Sequence, residues 1–363
     1  MKMMWMLAFM LLPVLAMAYI GWHAWVLLPC SWIWKAVLLA VMVLSFGLLF
    51  LTISRKFDGL PLGLASMLYE IGTSSIFVLL YLFMLFLVLD LGRLLRIVPR
   101  AYIYNNVWMA GGIAVLMFGL FLYGNLHYKY KYREAISLTS PKLSKTVRLM
   151  MVSDLHLGYH NRRAELARWV DMINRERPDA ILIAGDIIDG SMRPLMEERM
   201  AEELQRLKAP IYACLGNHEF YAGEEDAIRF YQEAGIHLLQ DSCAVVGDLC
   251  IIGRDDRTNM RRKSVKDLAA MADHGKYTIL LDHQPYHLEK AEQAGLDFQF
   301  SGHTHHGQVW PISWITESIY ECAFGSHQRG RTNYYVSSGL GIWGGKFRIG
   351  TRSEYVVLTL TQP

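Results

Sequence analysis

Residues 147–156 read Val147-Arg148-Leu149-Met150-Met151-Val152-Ser153-Asp154-Leu155-His156: a six-residue run, apolar but for Arg148, followed after Ser153 by an Asp-x-His pair. A short apolar run of this length predicts a buried strand. The pair that follows it consists of two metal-binding side chains. The same arrangement recurs four times downstream. Ala180–Ala184 leads into Gly185-Asp186, Ile211–Leu215 into Gly216-Asn217-His218-Glu219, Tyr277–Leu281 into His283, and Phe298–Phe300 into Gly302-His303-Thr304-His305. Ligands in α/β folds gather at the carboxyl ends of strands, so one sheet edge would receive all five strings. Further strands are expected at Leu249–Ile252, Tyr334–Val336 and Tyr355–Leu360. Helices are expected at Asn161–Arg175, Arg193–Leu207, Glu224–Ala234, Ser264–Ala272 and His287–Ala294. This alternation argues an α/β domain.

The residue types specify the chemistry. In extended chain an i, i+2 spacing puts both side chains on one side, so Asp154 and His156 can share one ion. His303 and His305 repeat that spacing with Gly302 as a hinge, and Gly185 permits a sharp turn before Asp186. Imidazole, carboxylate and amide oxygen together suit borderline divalent metals such as Mn²⁺, Fe²⁺ or Zn²⁺ better than Ca²⁺. Around this set, Asp189 is expected either to hydrogen-bond a ligand histidine or to cap a helix. Glu219 either orients His218 or faces solvent, and Asp282 is a turn residue or hydrogen-bond acceptor. Arg254 and Arg257, followed by Arg261-Arg262-Lys263, either grip a phosphate or form a solvated face. Trp310, Trp314 and Trp343 either make an apolar lip near a membrane interface or pack in the core.

Taken together, D-x-H, GD, GNH-E, a lone histidine and GHxH resemble the pattern of the calcineurin-like metallophosphoesterase superfamily, over Thr146 to about Leu360. The nearest likeness is to its YkuE/YaeI-like membrane-associated branch, which includes UDP-2,3-diacylglucosamine pyrophosphatases. The resemblance implies a two-sheet sandwich flanked by helices, with two divalent metal ions at its edge. By position, Asp154, His156, Asp186 and His305 would hold one ion. Asp186, Asn217, His283 and His303 would hold the other, with Asp186 bridging. It also implies in-line attack on phosphorus by a hydroxide held between the metals, with His218 stabilising the transition state or protonating the leaving oxygen. His306 departs from the branch's usual GHTHGGQ, where a glycine stands; it is either a substrate-facing group or a solvated loop residue.

The rest of the chain is of another kind. Of 363 residues 53% are hydrophobic and 19% charged, and the apolar excess lies before Lys129. Four apolar stretches, Met4–Leu28, Trp32–Ile53, Met67–Leu91 and Asn106–Leu126, each approach the roughly 20 residues a membrane span needs. Tryptophans and tyrosines cluster at their ends. The first begins like a signal peptide, with Ala16-Met17-Ala18, but its apolar run continues to Leu28 and reads as an uncleaved span. No ion pair is visible within the spans; Glu70 and Asp90 lie near their ends. Lys2, Arg55, Lys56, Lys129, Lys131 and Arg133 fall on one side of the membrane, and Lys35, Arg93, Arg96 and Arg100 on the other. That balance favours a cytoplasmic catalytic domain in a bacterial inner membrane.

The expected organisation is therefore a transmembrane bundle of about four helices (1–128), a polar linker (129–145) whose start at Tyr128–Arg133 reads as an interfacial anchor, and an α/β metallophosphoesterase domain (146–363). A net charge of +3 argues against a nucleic-acid partner. Five cysteines without CxxC spacing argue against a disulfide framework. Beside a membrane anchor, the expected substrate is a lipid-linked phosphoester or pyrophosphate such as a UDP-acyl-sugar. Two other readings compete: a phosphodiesterase or nuclease acting on soluble nucleotides, and a non-catalytic membrane sensor using the fold as a scaffold.

Overall fold

The computed structural model describes residues 2–54 and 56–363, with side chains omitted at 2–11 and 53. Arg55 and the side chains of Lys2 and Trp5 lie outside the described residues. The chain divides into two compact units, Met1–Asn125 and Leu126–Pro363.

The first unit consists of α1 (Lys2–Leu27), α2 (Trp32–Ile53), α3 (Leu62–Leu94) and α4 (Val107–Lys129), whose last turn belongs to the second unit. Three stretches, Trp32–Thr52, Leu62–Leu94 and Val107–Lys129, are long and apolar enough to cross a membrane; the described side chains of α1 form a shorter apolar helix, Leu12–Leu27. Asn106 caps α4, its side-chain oxygen accepting the Met109 N–H at 2.9 Å. The sequence expectation of no ion pair within the spans is corrected near the end of α3, where Arg93 Nη1 lies 3.4 Å from Asp90 Oδ1. His23 Nε2 lies 3.0 Å from Asp90 Oδ2, and the Tyr19 hydroxyl donates to the same oxygen at 2.8 Å, tying α1 to α3. These partners are 67 and 71 residues apart, so no local pattern reveals them.

The second unit has twelve strands: β1 (Lys131–Thr139), β2 (Val147–Val152), β3 (Ala180–Ala184), β4 (Ile211–Cys214), β5 (Ile236–Leu238), β6 (Ser242–Val246), β7 (Leu249–Gly253), β8 (Tyr277–Leu281), β9 (Phe298–Ser301), β10 (Gly325–Arg329), β11 (Thr332–Val336) and β12 (Ser353–Thr361). They form two six-stranded sheets, ordered β1-β12-β2-β3-β4-β5 and β10-β11-β9-β8-β7-β6. The inner faces pack on each other through Leu149, Met151, Leu182 and Leu358 of one sheet and Ile251, Ile279, Leu281 and Phe300 of the other.

Helices cover the outer faces. Met150, Val152, Ile181 and Ile183 meet α5 (Arg163–Arg175) and α9 (Glu224–Glu233) on one side. Cys250, Ile252 and Leu280 meet α10 (Val265–Met271) and α11 (Glu289–Gln293) on the other. Burial on both faces explains why β2, β3, β7 and β8 read as continuous apolar runs rather than alternating ones. The helix expected at Arg193–Leu207 is broken into α6 (Arg193–Glu197) and α7 (Met200–Leu204) by Arg199, whose φ is 52°. Two further helices, α8 (Asn217–Ala222) and α12 (Ile312–Ile319), lie where no helix was expected.

The expected linker is also corrected. Most of it is β1, which pairs in parallel with β12 from Lys131↔Ser353 to Thr139↔Thr361. As an edge strand it keeps alternate residues exposed, and only Ile136 and Leu138 pack against the inter-sheet core. Its composition therefore looks polar. All five cysteines are free.

Candidate metal centre

Strands β2, β3 and β4 run parallel in one sheet, and β8 and β9 run parallel in the other. Their carboxyl ends carry all seven expected ligands. Two groups converge there: Asp154, His156 and His305, and Asp186, His283 and His303, each with its ligand atoms within 4.8 Å of one another. In the first, His156 Nε2 stands 3.0 Å from His305 Nε2 and 3.9 Å from Asp154 Oδ1, and His305 Nε2 is 3.5 Å from that oxygen. In the second, His283 Nε2 lies 3.1 Å from Asp186 Oδ2 and 3.2 Å from Asn217 Oδ1. Asp186 Oδ2 is also 3.7 Å from His156 Nε2, so it faces both groups.

These residues fit metal ions on two grounds. With metal–ligand bonds of about 2.0–2.2 Å, neighbouring ligand atoms stand about 3.0–3.5 Å apart, close to the spacings seen. The tautomers agree. His283 Nδ1 faces the Ala184 carbonyl at 2.7 Å, which can only accept, so that nitrogen carries the proton and Nε2 turns a lone pair toward two oxygens. His156 Nδ1 likewise faces Asp189 Oδ1 at 3.2 Å, leaving its Nε2 lone pair aimed at the cluster. Acceptor atoms converging in a buried pocket favour a positive charge between them, a proton or a metal ion.

The electrostatics point the same way. Burial disfavours a charged His283, yet Asp186 and Asp154 raise its pKa well above the usual imidazole value. Burial pushes Asp186 up, and His283 and His218 outweigh it, holding the carboxyl well below the carboxylate range. Burial raises Asp154.

The local backbone departs from the extended geometry read from sequence. Asp154, His156, Asp186, His303 and His305 all have φ between 46° and 70°. Each such non-glycine residue costs about 1–2 kcal/mol. Successive side chains are thus hooked toward one point by left-handed turns, not by strand alternation. Gly185, at φ 77°, behaves as expected, but Gly302 serves as a space rather than a hinge: a Cβ there would collide with Asp154 Oδ2 and Ser153 Oγ.

The supporting residues sort as follows. Asp189 bonds His156, and burial, which pushes its carboxyl up, is outweighed by His156, His160 and His218, leaving it at about 2. Its main-chain oxygen accepts from His218 Nδ1 at 2.7 Å, so His218 carries its proton there, and Nε2 is the nitrogen left to exchange one. The trio His156, Asp189 and His218 also lies within 4.8 Å, but both histidines turn protonated Nδ1 atoms to Asp189, so it is a hydrogen-bonded support rather than a third ion site. Glu219 is fully buried and accepts from the N–H groups of Gly216 (2.7 Å), Ile188 (3.0 Å) and Asp186 (3.1 Å). Burial, then Asp186, pushes it up to about 7. It braces the turns bearing Asp186 and Asn217 instead of orienting the His218 ring or facing solvent.

The three residues expected either to contact substrate or to face solvent are placed as follows. Arg254 is buried, donating to Asp282 Oδ2 at 2.9 Å and to the Lys263 carbonyl at 3.0 Å, so its guanidinium is held inside the domain. Asp282 accepts from Arg262 as well, at 3.1 Å, and is no ligand. Arg257 is exposed over the Tyr286 ring at 4.4 Å. His306 stacks on Phe324 at 4.6 Å and pairs with Glu317 at 2.9 Å.

Three supports escaped the sequence reading. Tyr128, expected at the interface, is fully buried and donates to Asn161 Oδ1 at 2.8 Å. Asn161, expected to begin a helix, points inward, its Nδ2 donating to the Leu155 carbonyl between two ligands at 3.0 Å. Arg348, fully buried, donates to the carbonyls of His305 (2.6 Å) and Ser338 and to Ser353 Oγ. The only local signal was a lone arginine between Phe347 and Ile349.

A two-sheet α/β sandwich with paired His/Asp clusters at one strand edge defines a metal-dependent hydrolase site. Residues 147–307 match the calcineurin-like phosphoesterase family, and the second unit carries a calcineurin-like metallophosphoesterase domain. The chain is 29% identical to uncharacterized metallophosphoesterases of Campylobacter jejuni (68% of this chain, 69% of that one) and Aquifex aeolicus (68% and 97%). It is 32% identical to a transmembrane protein with metallophosphoesterase domain of Danio rerio (61% of this chain, 55% of that one).

Proposed function

We propose that this protein is a membrane-anchored dinuclear phosphoesterase of the YkuE/YaeI-like branch, acting on a lipid-linked phosphoester or pyrophosphate such as a UDP-acyl-sugar. The observation that carries the reading is covalent economy: α4 ends at Lys129 and β1 begins at Lys131, so a single residue joins a membrane-length helix to the domain that bears the metal ligands. A soluble substrate needs no such tether. The Lys and Arg balance supports a cytoplasmic catalytic unit in a bacterial inner membrane.

In this reading Asp154, His156, Asp186 and His305 hold one ion, and Asp186, Asn217, His283 and His303 the other, with Mn²⁺ or Fe²⁺ preferred and Zn²⁺ tolerated. Divalent ions there would supply charge neutralisation for phosphoryl oxygens and acidify water. His218 holds one proton on Nδ1 against the Asp189 carbonyl, and a second, taken up on Nε2 from water and readily released because burial lowers the ring's pKa, would pass to the departing oxygen, a role worth about 10²–10⁴-fold in rate. Asp189 fixes His156, and Glu219 holds the Asp186 turn in place.

The test is turnover by full-length protein in vesicles, with Mn²⁺, Fe²⁺ or Zn²⁺, of UDP-acyl-sugars and phospholipids alongside bis-p-nitrophenyl phosphate. Hydrolysis of the lipidic esters is expected, and turnover confined to the soluble ester refutes the lipid assignment. His218→Ala is expected to lose activity while keeping metal; full activity in that variant refutes the role of His218.

A further inference from the structure

Helix α12 is amphipathic in the wrong sense for a soluble domain. Its small polar Ser313 is buried, whereas Trp314, Ile315 and Ile319 are 62%, 56% and 57% exposed. Trp310, just upstream, is 39% exposed and meets Trp314 edge-to-face at 5.3 Å. Trp343, by contrast, is half-buried. Isolated exposed apolar residues need no explanation, but two stacked tryptophans and two isoleucines on one helix form a patch.

Two sets of contacts inside the second unit say what covers it. The first joins the patch to the point where the chain leaves the bilayer. His127, in the last turn of α4, lies with Nδ1 3.2 Å from the Arg348 carbonyl. The next residue, Ile349, accepts the Trp310 N–H at 2.7 Å. The patch therefore begins one residue from the contact made by the end of a membrane-length helix. Tyr130, immediately after that helix, is 62% exposed. The second set joins the patch to the metal centre. The turn His305–Gly307 feeds directly into α12, Glu317 of α12 is turned onto His306 at 2.9 Å, and the Tyr320 ring at the helix end lies 6.4 Å from the His303 ring.

We propose that α12 with Trp310 is a lip that inserts into the bilayer interface and holds the metal centre against the headgroup layer. Tryptophan is the residue most at home at that depth, and an amphipathic helix lying in the interface buries its apolar face about 5–10 Å into the headgroup and acyl boundary. The partner is a lipid surface, and the lip stands whichever ester is hydrolysed.

The test uses the full chain in nanodiscs, with Cys30 and Cys243 replaced by serine and a nitroxide placed at Ile315→Cys. A second protein carries the label at the exposed Lys266→Cys on α10. Power-saturation resonance compares collision with oxygen, which partitions into lipid, and with a nickel chelate, which stays in water. The 315 label is expected to favour oxygen and the 266 label the chelate. Equal chelate access at both positions overturns the lip. Dipolar broadening at 315 that disappears on dilution with unlabelled chain assigns the patch to a second copy and overturns it equally. Because the readout is depth, not turnover, loss of the lip and failure of the lipid-substrate reading are separable. In a paired assay, Trp314→Ser with Ile315→Ser is expected to slow hydrolysis of a vesicle-embedded ester at least several-fold while leaving bis-p-nitrophenyl phosphate turnover unchanged.

Discussion

Replacing Asp189 with alanine separates metal binding from the rest of the site. Its Oδ1 is the sole described partner that fixes the His156 tautomer, at 3.2 Å from Nδ1. A hydrogen bond to a charged group contributes about 1.5–3 kcal/mol, and each 1.4 kcal/mol is about tenfold in affinity. The loss should therefore weaken one ion by about 10–100-fold, the range typical when a residue supporting a ligand histidine is removed. Only one ion should respond strongly, because His156 belongs to the group with Asp154 and His305. His218 donates its hydrogen bond to the main-chain oxygen of residue 189, with the Asp189 carboxylate farther off at 3.6 Å, so turnover at saturating metal should largely return. The assay is titration of stripped full-length protein with Mn²⁺ against a fluorescent chelator, together with activity as a function of Mn²⁺. Asp189→Asn, which retains an acceptor but loses the charge, should fall between wild type and alanine. Unchanged affinity at both sites in a folded Asp189→Ala protein would refute the reasoning, as would activity that excess metal fails to restore.

Other outcomes follow from the same geometry. In Gly216→Ala the new Cβ would collide with Asp186 Oδ1, displacing the carboxylate that faces both groups; metal content by elemental analysis should fall for both ions together. Chelation should lower the melting temperature: at metal 100-fold above its Kd, binding contributes about 2.7 kcal/mol, which for a unit of this size is roughly 5–10 °C by calorimetry. Asn161→Ala removes the donor to the Leu155 carbonyl and one partner of the buried Tyr128 hydroxyl, leaving it only Glu165. It should destabilise the protein by about 2–4 kcal/mol, and Tyr128→Phe by about 1 kcal/mol, both read from denaturant unfolding of the second unit.

The seven candidate ligand positions were legible because each stands within four residues of the end of a largely apolar strand buried on both sheet faces, and that burial is written locally as a run. The edge strand β1 was not legible, since a strand with one wet side carries too few apolar residues to stand out from a linker. Arg254 misled for a related reason. Its place in a charged string suggested a phosphate grip or a solvated face, but Asp282, far along the chain and adjacent in space, draws it inward. Glu219 was placed beside the right histidine but assigned the wrong task, because two of the three N–H groups it serves come from turns 31 to 33 residues away.

The chain's own pattern determined that membrane-length helices precede an α/β domain, and which residue types stand at its strand ends. Both depend on apolar periodicity and length, which act over a few residues. Only the tertiary structure decided that Asp186 turns one oxygen to both ligand groups, that left-handed turns rather than strand alternation aim the ligands, and that Tyr128, Asn161 and Arg348 support the ligand loops. Those are contacts between residues tens to hundreds apart, formed when two sheets close on each other and bury their polar groups. The demand that each buried donor find an acceptor is then met by whatever the fold brings near.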